Sequence, residues 1–293
     1  MALDNLDEVF QYFDSQNSRG KSLEAYDLLK AYHLREMVGA CKVYELVKTW
    51  EDNATIKTDV LNQPVWLQLI ISDILSRYRR WEWNVSAEFF EKQDVDIFKG
   101  LSREDQGKYL KLSERYAYET QMNGVILDGE RFFKYVEYYK VQYERLFQEG
   151  GLVNNSQIVI PKTSTPLFSH LKQKATINKG DGFVFVSFII MVMWYYDKFG
   201  DYELNKAVVR IARWVYFLRF YHKSLYFSSV ENHLWQPNGL YVALRRAITP
   251  EQFLSFDIGK TEKRTDSKNV SYLNELLAGF YDDKTQSDKG EKQ

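Results

Sequence analysis

Cysteine is almost missing from this chain of 293 residues: Cys41 is the only one. An intrachain disulfide framework is therefore excluded, and a cysteine-built zinc centre lacks its ligands. Scarce thiols agree with a reducing compartment, and the chain reads as a soluble, cytoplasmic protein. Proline (five) and glycine (fifteen) are also few, which argues against a turn-rich β protein. Neither sign of charge prevails, with 39 basic against 40 acidic residues and a net charge of −1. No global field then draws the chain onto nucleic acid, and any such contact must come from a local patch. Phosphate loops of the GxxxxGK[ST] type, GxGxxG turns and GxSxG elbows are missing. The four histidines, His33, His170, His222 and His233, form no i, i+4 pair and no HExxH. The first residues, MALDNLDEVF, are acidic and lack the basic and apolar regions of a signal peptide. The longest apolar run, Phe183 to Tyr196, has 14 residues, short of the roughly 20 that span a bilayer. It reads as a buried helix, with a membrane contact as the minor alternative, and no membrane partner is expected.

What the chain does have is aromatic side chains: 21 Tyr, 19 Phe and 7 Trp. With so few breakers they favour long helices joined by aromatic seams. The fold class expected is mainly α, a multi-helix bundle-like array. Ser22 stands where an N-cap belongs, and the helix it opens extends to about Tyr44 with a bend at Gly39. Pro64 opens PVWLQLIISDILSRYRRWEW, with Val65, Leu69, Ile70 and Ile74 on one face. Glu104 to Gln121 reads as a polar helix. Asp128 starts another, with Phe132, Phe133, Val136 and Tyr139 as its seam, stopped by Gly150-Gly151. Leu152 to Pro166 is a connection. Gly180 to Gly182 breaks the chain before the apolar run, Tyr202 to Tyr226 is one long helix, and Pro250 opens a short one.

Phe13 to Met37, FDSQNSRGKSLEAYDLLKAYHLREM, joins a polar loop to an amphipathic helix. Its free N–H groups beside Arg19 and Lys21 suit an anion such as phosphate. The pattern F-x-x-x-N-x-R-G-x-x-L-x-x-x-D-L-L-K, carried by Phe13, Asn17, Arg19, Gly20, Leu23, Asp27, Leu28, Leu29 and Lys30, resembles the GmrSD-type restriction endonuclease N-terminal domain family. That is a ParB/sulfiredoxin-like NTPase, also called domain of unknown function 262. Weaker similarity continues at Arg79 to Trp83, Gly129 to Tyr139 and Lys179 to Phe185. The family's DGQQR segment and its HNH nuclease module have no counterpart here. The resemblance thus implies the back part of such a protein. Residues 1–40 would be the remnant of the α/β NTPase-like domain, 41–280 a helical domain with halves 41–151 and 167–280, and 281–293 a disordered tail. It further implies a candidate nucleotide site at Asn17, Arg19, Gly20, Lys21, Asp27 and Lys30. A partner chain would carry the DGQQR half. The complete family protein would use an NTP with a divalent metal, and this chain in isolation no cofactor.

The best basic-aromatic cluster is Arg77, Arg79 and Arg80 with Trp81 and Trp83. Arginine fits phosphate, and tryptophan offers a stacking face to an unpaired base. The same residues equally suit a cationic helix end with tryptophans in the core. Arg210, Arg213 and Arg219 read as buried partners of acidic neighbours. Asp94 and Asp96 resemble half a metal site by composition only, and the same holds for a nuclease built on His222 and His233. The reading is a subunit of a phage-defence protein, a helical scaffold not catalytic alone. A helical DNA-binding module is the alternative, and a metal-dependent nuclease the next.

Overall fold

The computed structural model describes residues 24–37, 40–55, 66–101, 121–127, 129–160, 164–222, 224–257, 261–262, 268–278 and 281–282. Asn17, Arg19, Gly20, Lys21, Ser22, Gly39, the polar stretch 104–120 and the tail from 283 lie outside them. The protein is mainly α-helical, with twelve α-helices among the described residues. Strand structure there amounts to a parallel pair of two residues each, Thr261–Glu262 and Tyr281–Asp282, and two isolated bridges. The chain forms two units, Met1–Gln142 and Tyr143–Gln293.

In the N-terminal unit, α1 spans Ala25–Arg35. It starts later than expected, with Glu24 rather than Ser22 as N-cap, because Glu24 and Asp27 form a reciprocal capping box. The helix ends at Arg35, and a separate α2 runs over Ala40–Thr55. Residues Gln68–Ser76 form a π-helix that passes into α3, Arg77–Glu82. A single apolar face was too narrow an expectation here, since Leu69, Ile70, Ile71, Ile74, Leu75, Tyr78 and Trp81 are all buried. A helix apolar nearly all round belongs inside a core. A 3-10 helix, Lys92–Phe98, follows, and then α4, Glu130–Phe147. The α4 seam of Phe132, Phe133, Val136 and Tyr139 is buried as its period requires. His33 of α1 stacks on Phe132 at 3.8 Å, and its Nδ1 accepts from Gly129 N–H at 3.3 Å. Gly129 has φ +73°, and a Cβ there would lie 3.2 Å from the Glu36 carbonyl oxygen, so glycine is required.

The C-terminal unit is built round α6, Lys179–Phe199, with α5, Leu167–Ile177, and α7, Leu204–Tyr216, packed on it. The helix is long and apolar enough to cross a bilayer, yet Val184 to Tyr195 is buried within the protein. Gly180 and Gly182 do not break it. Gly180 lies in its first turn, where N–H groups lack intrahelical partners anyway, and the Gly182 N–H already donates to the Asn178 carbonyl at 3.0 Å. The long helix expected over 202–226 is instead α7 and a short α8, Leu218–Tyr221. Five successive residues, Tyr216 to Phe220, are buried, so this segment, like α6, is enclosed on every side. The remaining helices are α9, Phe227–Leu234; α10, Leu240–Arg246; α11, Pro250–Ser255; and α12, Asn274–Leu277. A 3-10 helix, Lys268–Leu273, leads into α12. The Thr249 side chain caps α11 in a capping box with Gln252, and Pro250 stands in its first turn.

Candidate functional site

The charged residues expected to bind phosphate or nucleic acid are, where described, engaged within the protein. Asp27 Oδ2 accepts from the Glu24 N–H at 2.9 Å. Lys30 is buried and ion-paired with Glu51. Burial pushes its ammonium down to about 8, against the attraction of Asp27. Arg77 pairs with Asp73 at 2.9 Å and donates to the Ala87 carbonyl. Arg79 donates to the Gly124 carbonyl at 2.6 Å. Arg80 pairs with Asp94 and donates to the Phe89 carbonyl at 3.0 Å. Trp81 is wholly buried, whereas Trp83 is 66% exposed. Arg77 and Arg80 thus fasten the loop over 84–90 to the helix that carries them, and Arg79 fastens the turn at Gly124. Asp94 caps the 3-10 helix, and Asp96 pairs with Lys99. Among the described residues, no group of three or more His, Cys, Asp or Glu side chains is placed to hold a metal ion.

A pocket of about 370 Å³ opens in the C-terminal unit. Trp214, Phe217, Leu218 and Tyr221 come from α7, α8 and their junction, with His222 following. Ser229, Asn232 and His233 come from α9, and Gln236 and Asn238 from the turn after it. Each set recurs at helical spacing, which lines one face per helix. The break after Tyr216 and the turn at His222 bring the two faces together.

Trp214 and His233 form a stacked pair in the wall, with ring centroids 4.0 Å apart and planes 24° from parallel. A Cβ at Gly239 would come within 3.0 Å of the Trp214 ring, so the indole is held closely at its edge. His233 is only 9% exposed. Burial holds its imidazole down at about 4, opposed by its bond to the Trp214 carbonyl, with the nearby His222 lowering it further. It is therefore neutral near pH 7. His233 Nε2 lies 3.0 Å from that carbonyl. A carbonyl only accepts, so Nε2 carries the proton and Nδ1 is left as an acceptor.

On the other side of α8 lies a buried charge cluster. Asp181, in the first turn of α6, is wholly buried. Its Oδ1 lies 2.7 Å from Arg219 Nε and accepts from the Tyr272 hydroxyl at 2.8 Å. Its Oδ2 accepts from Asn178 Nδ2 at 2.9 Å. The Arg219 Nε–H points off the line to Asp181, so that contact is charge attraction rather than an aligned hydrogen bond. Burial pushes the Tyr272 phenol far up, and the Asp181 carboxylate adds to it. Gly180 makes the approach possible, since a Cβ there would lie 3.2 Å from Arg219 Nη1. The cluster fixes α8 against α6 and so sets one wall of the pocket.

A model for a family of unknown function (DUF7834) matches residues 42–272. The chain belongs to that family. No curated protein and no solved structure matches it. The DUF7834 match overturns the resemblance of Phe13 to Met37 to the GmrSD-type family, for which no match appears. The shared pattern was a capped helix start followed by an apolar stripe, which many unrelated helices need. The reading of residues 1–40 as the remnant of an NTPase rested on that resemblance. The pocket residues were only partly visible in the DUF7834 chain's sequence. His222 and His233 stood out by type, but Trp214, Phe217, Tyr221, Ser229, Gln236 and Asn238 read as ordinary helix positions. Their signal was two aromatic-polar stripes at helical spacing in neighbouring segments.

Proposed function

We propose that this DUF7834 protein is a helical binding module that takes a small ligand in the pocket between α7–α8 and α9. The observation that carries the reading is the pocket's wall. Rings from Trp214, Phe217 and Tyr221 stand beside the amide side chains of Asn232, Gln236 and Asn238. Concave, largely aromatic sites with a few placed polar groups are where small molecules bind. His233 serves in this reading as a fixed, neutral acceptor rather than as a base, since a group held near 4 gains little by taking a proton at neutral pH. The DNA-binding alternative has less support, because Arg77, Arg79 and Arg80 hold carbonyls and carboxylates of their own unit.

A small-molecule fragment library, screened against the full chain by saturation-transfer NMR, tests the proposal. Hits should concentrate in one site and disappear in Ser229→Phe, which fills the cavity from α9. Ile248→Ser, at an exposed position away from the pocket lining, should keep them. Hits that survive Ser229→Phe in a folded protein, or an empty screen, would sink the reading.

A further inference from the structure

Resting on that reading, we infer that the pocket is built for an uncharged nucleobase, as presented by a nucleoside. Three features of the wall define this class. The first is ring area: Tyr221 is half-buried, and the nearly buried Trp214 and Phe217 rings, with one Trp214 face stacked on His233, complete an aromatic wall against which a planar heterocycle packs. The second is the polar set. Asn232, Gln236 and Asn238 each carry a donor and an acceptor side by side, the arrangement that matches adjacent donor and acceptor atoms on a base edge. Ser229 adds a hydroxyl, and the His233 tautomer fixed by the Trp214 carbonyl adds an acceptor at Nδ1.

The third feature is charge. Among the described lining residues there is no Lys, Arg, Asp or Glu. A phosphate or carboxylate placed among them would lose water without gaining a counter-charge. Burial keeps His233 neutral near pH 7, which leaves His222 as the one other histidine among the described lining residues. The base itself is therefore recognised, and a phosphate attached to it must remain in solvent. A volume of about 370 Å³ is within the range of pockets that hold small organic ligands.

The same base chemistry is offered by a free nucleoside and by an unpaired base in a strand. Calorimetric titration of the full chain with adenosine, guanosine, cytidine and uridine gives the first arm. Their 5′-monophosphates and a short mixed-sequence single-stranded oligonucleotide give the second and third. At least one nucleoside should bind, and its monophosphate should bind no more tightly. Asn232→Ala, at an exposed rim position, should weaken it about five- to tenfold, the loss expected for one hydrogen bond. The double variant with Gln236→Ala should weaken it further, with an unchanged circular dichroism spectrum. An oligonucleotide that binds no better than its best nucleoside also supports the free ligand.

Three results would overturn the inference. In one, no nucleoside binds at millimolar concentration while fragments of other chemistry still occupy the Ser229→Phe-sensitive site; the binding-module reading then survives alone. In another, binding requires the phosphate or the strand, which contradicts an uncharged ligand. In the last, fragments and nucleosides are both silent, and inference and reading fall together.

Discussion

The stretch Arg77 to Trp83 in the N-terminal unit and the pocket in the C-terminal unit make an instructive pair. The first is the more conspicuous in sequence, with three arginines and two tryptophans within seven positions. In the structure its cations hold the Ala87, Phe89 and Gly124 carbonyls and the Asp73 and Asp94 carboxylates. The second is built from residues that attract no notice singly. Yet Asn232, Gln236 and Asn238 are exposed at the rim of a cavity, where a ligand can reach their amide groups. Residue type tells what a side chain can do; its neighbours decide whether that capacity is already used.

The contrast can be pushed hardest at the charge cluster behind the pocket. Arg219→Met removes the cation and leaves Asp181 wholly buried with only neutral donors. Breaking one side of a buried pair costs about 3–5 kcal/mol. The C-terminal unit should accordingly lose a large fraction of an ordinary domain's stability, since the whole is about 5–15 kcal/mol. Urea unfolding followed by far-UV circular dichroism measures this directly. A loss below about 1 kcal/mol would mean that the cluster does not hold α8 in place. The double change of Asp181→Leu with Arg219→Met should recover part of the loss, because no lone charge is then buried.

Acid separates the two units by their histidines. Burial holds His33 at about 3 and His233 at about 4, against an ordinary value of 6.5. Above that ordinary value both are neutral in either state and pH has no effect through them. As pH falls through it the unfolded chain takes up protons that the folded rings refuse, so stability is lost. For His233 the loss is complete near its folded value, and it amounts to about 3 kcal/mol at one pKa unit per 1.36 kcal/mol. His233→Phe should flatten the pH dependence of the C-terminal unit between pH 6.5 and 4, and His33→Phe that of the N-terminal unit. Denaturation midpoints across this interval provide the check. A slope unchanged by either variant would mean that carboxylates alone set the acid limit.

How much of this was legible beforehand depended on period. The α4 seam and the buried α6 were readable because apolar spacing and run length speak for themselves. The mainly helical class followed from the same signal. The break after Tyr216 was not readable, since Tyr, Phe, Leu and Arg all suit a helix interior. The pocket depends on that break, so it was hidden with it. Asp181 and Arg219 are 38 positions apart by their numbers, and nothing local links them. The N-terminal motif failed for the opposite reason, since its local pattern was strong and its meaning was not unique.

The smallest effect is also the sharpest comparison. Arg79→Met removes the donor to the Gly124 carbonyl, inside a unit where Tyr135 and Met122 hold the same turn. It should destabilise the protein by about 1–3 kcal/mol, the cost of leaving a part-buried acceptor unmatched. Asn232→Ala should change stability by no more than about 0.5 kcal/mol, because an exposed rim amide gives up solvent contacts alone. Their effects on ligand must run the other way, with Arg79→Met neutral and Asn232→Ala damaging. Thermal melts and nucleoside titration on the same two preparations decide it. If Arg79→Met lowered ligand affinity in a protein that melts normally, its guanidinium would have a use outside its own unit. The distinction between spent and available side chains would then fail at the residue where it looks strongest.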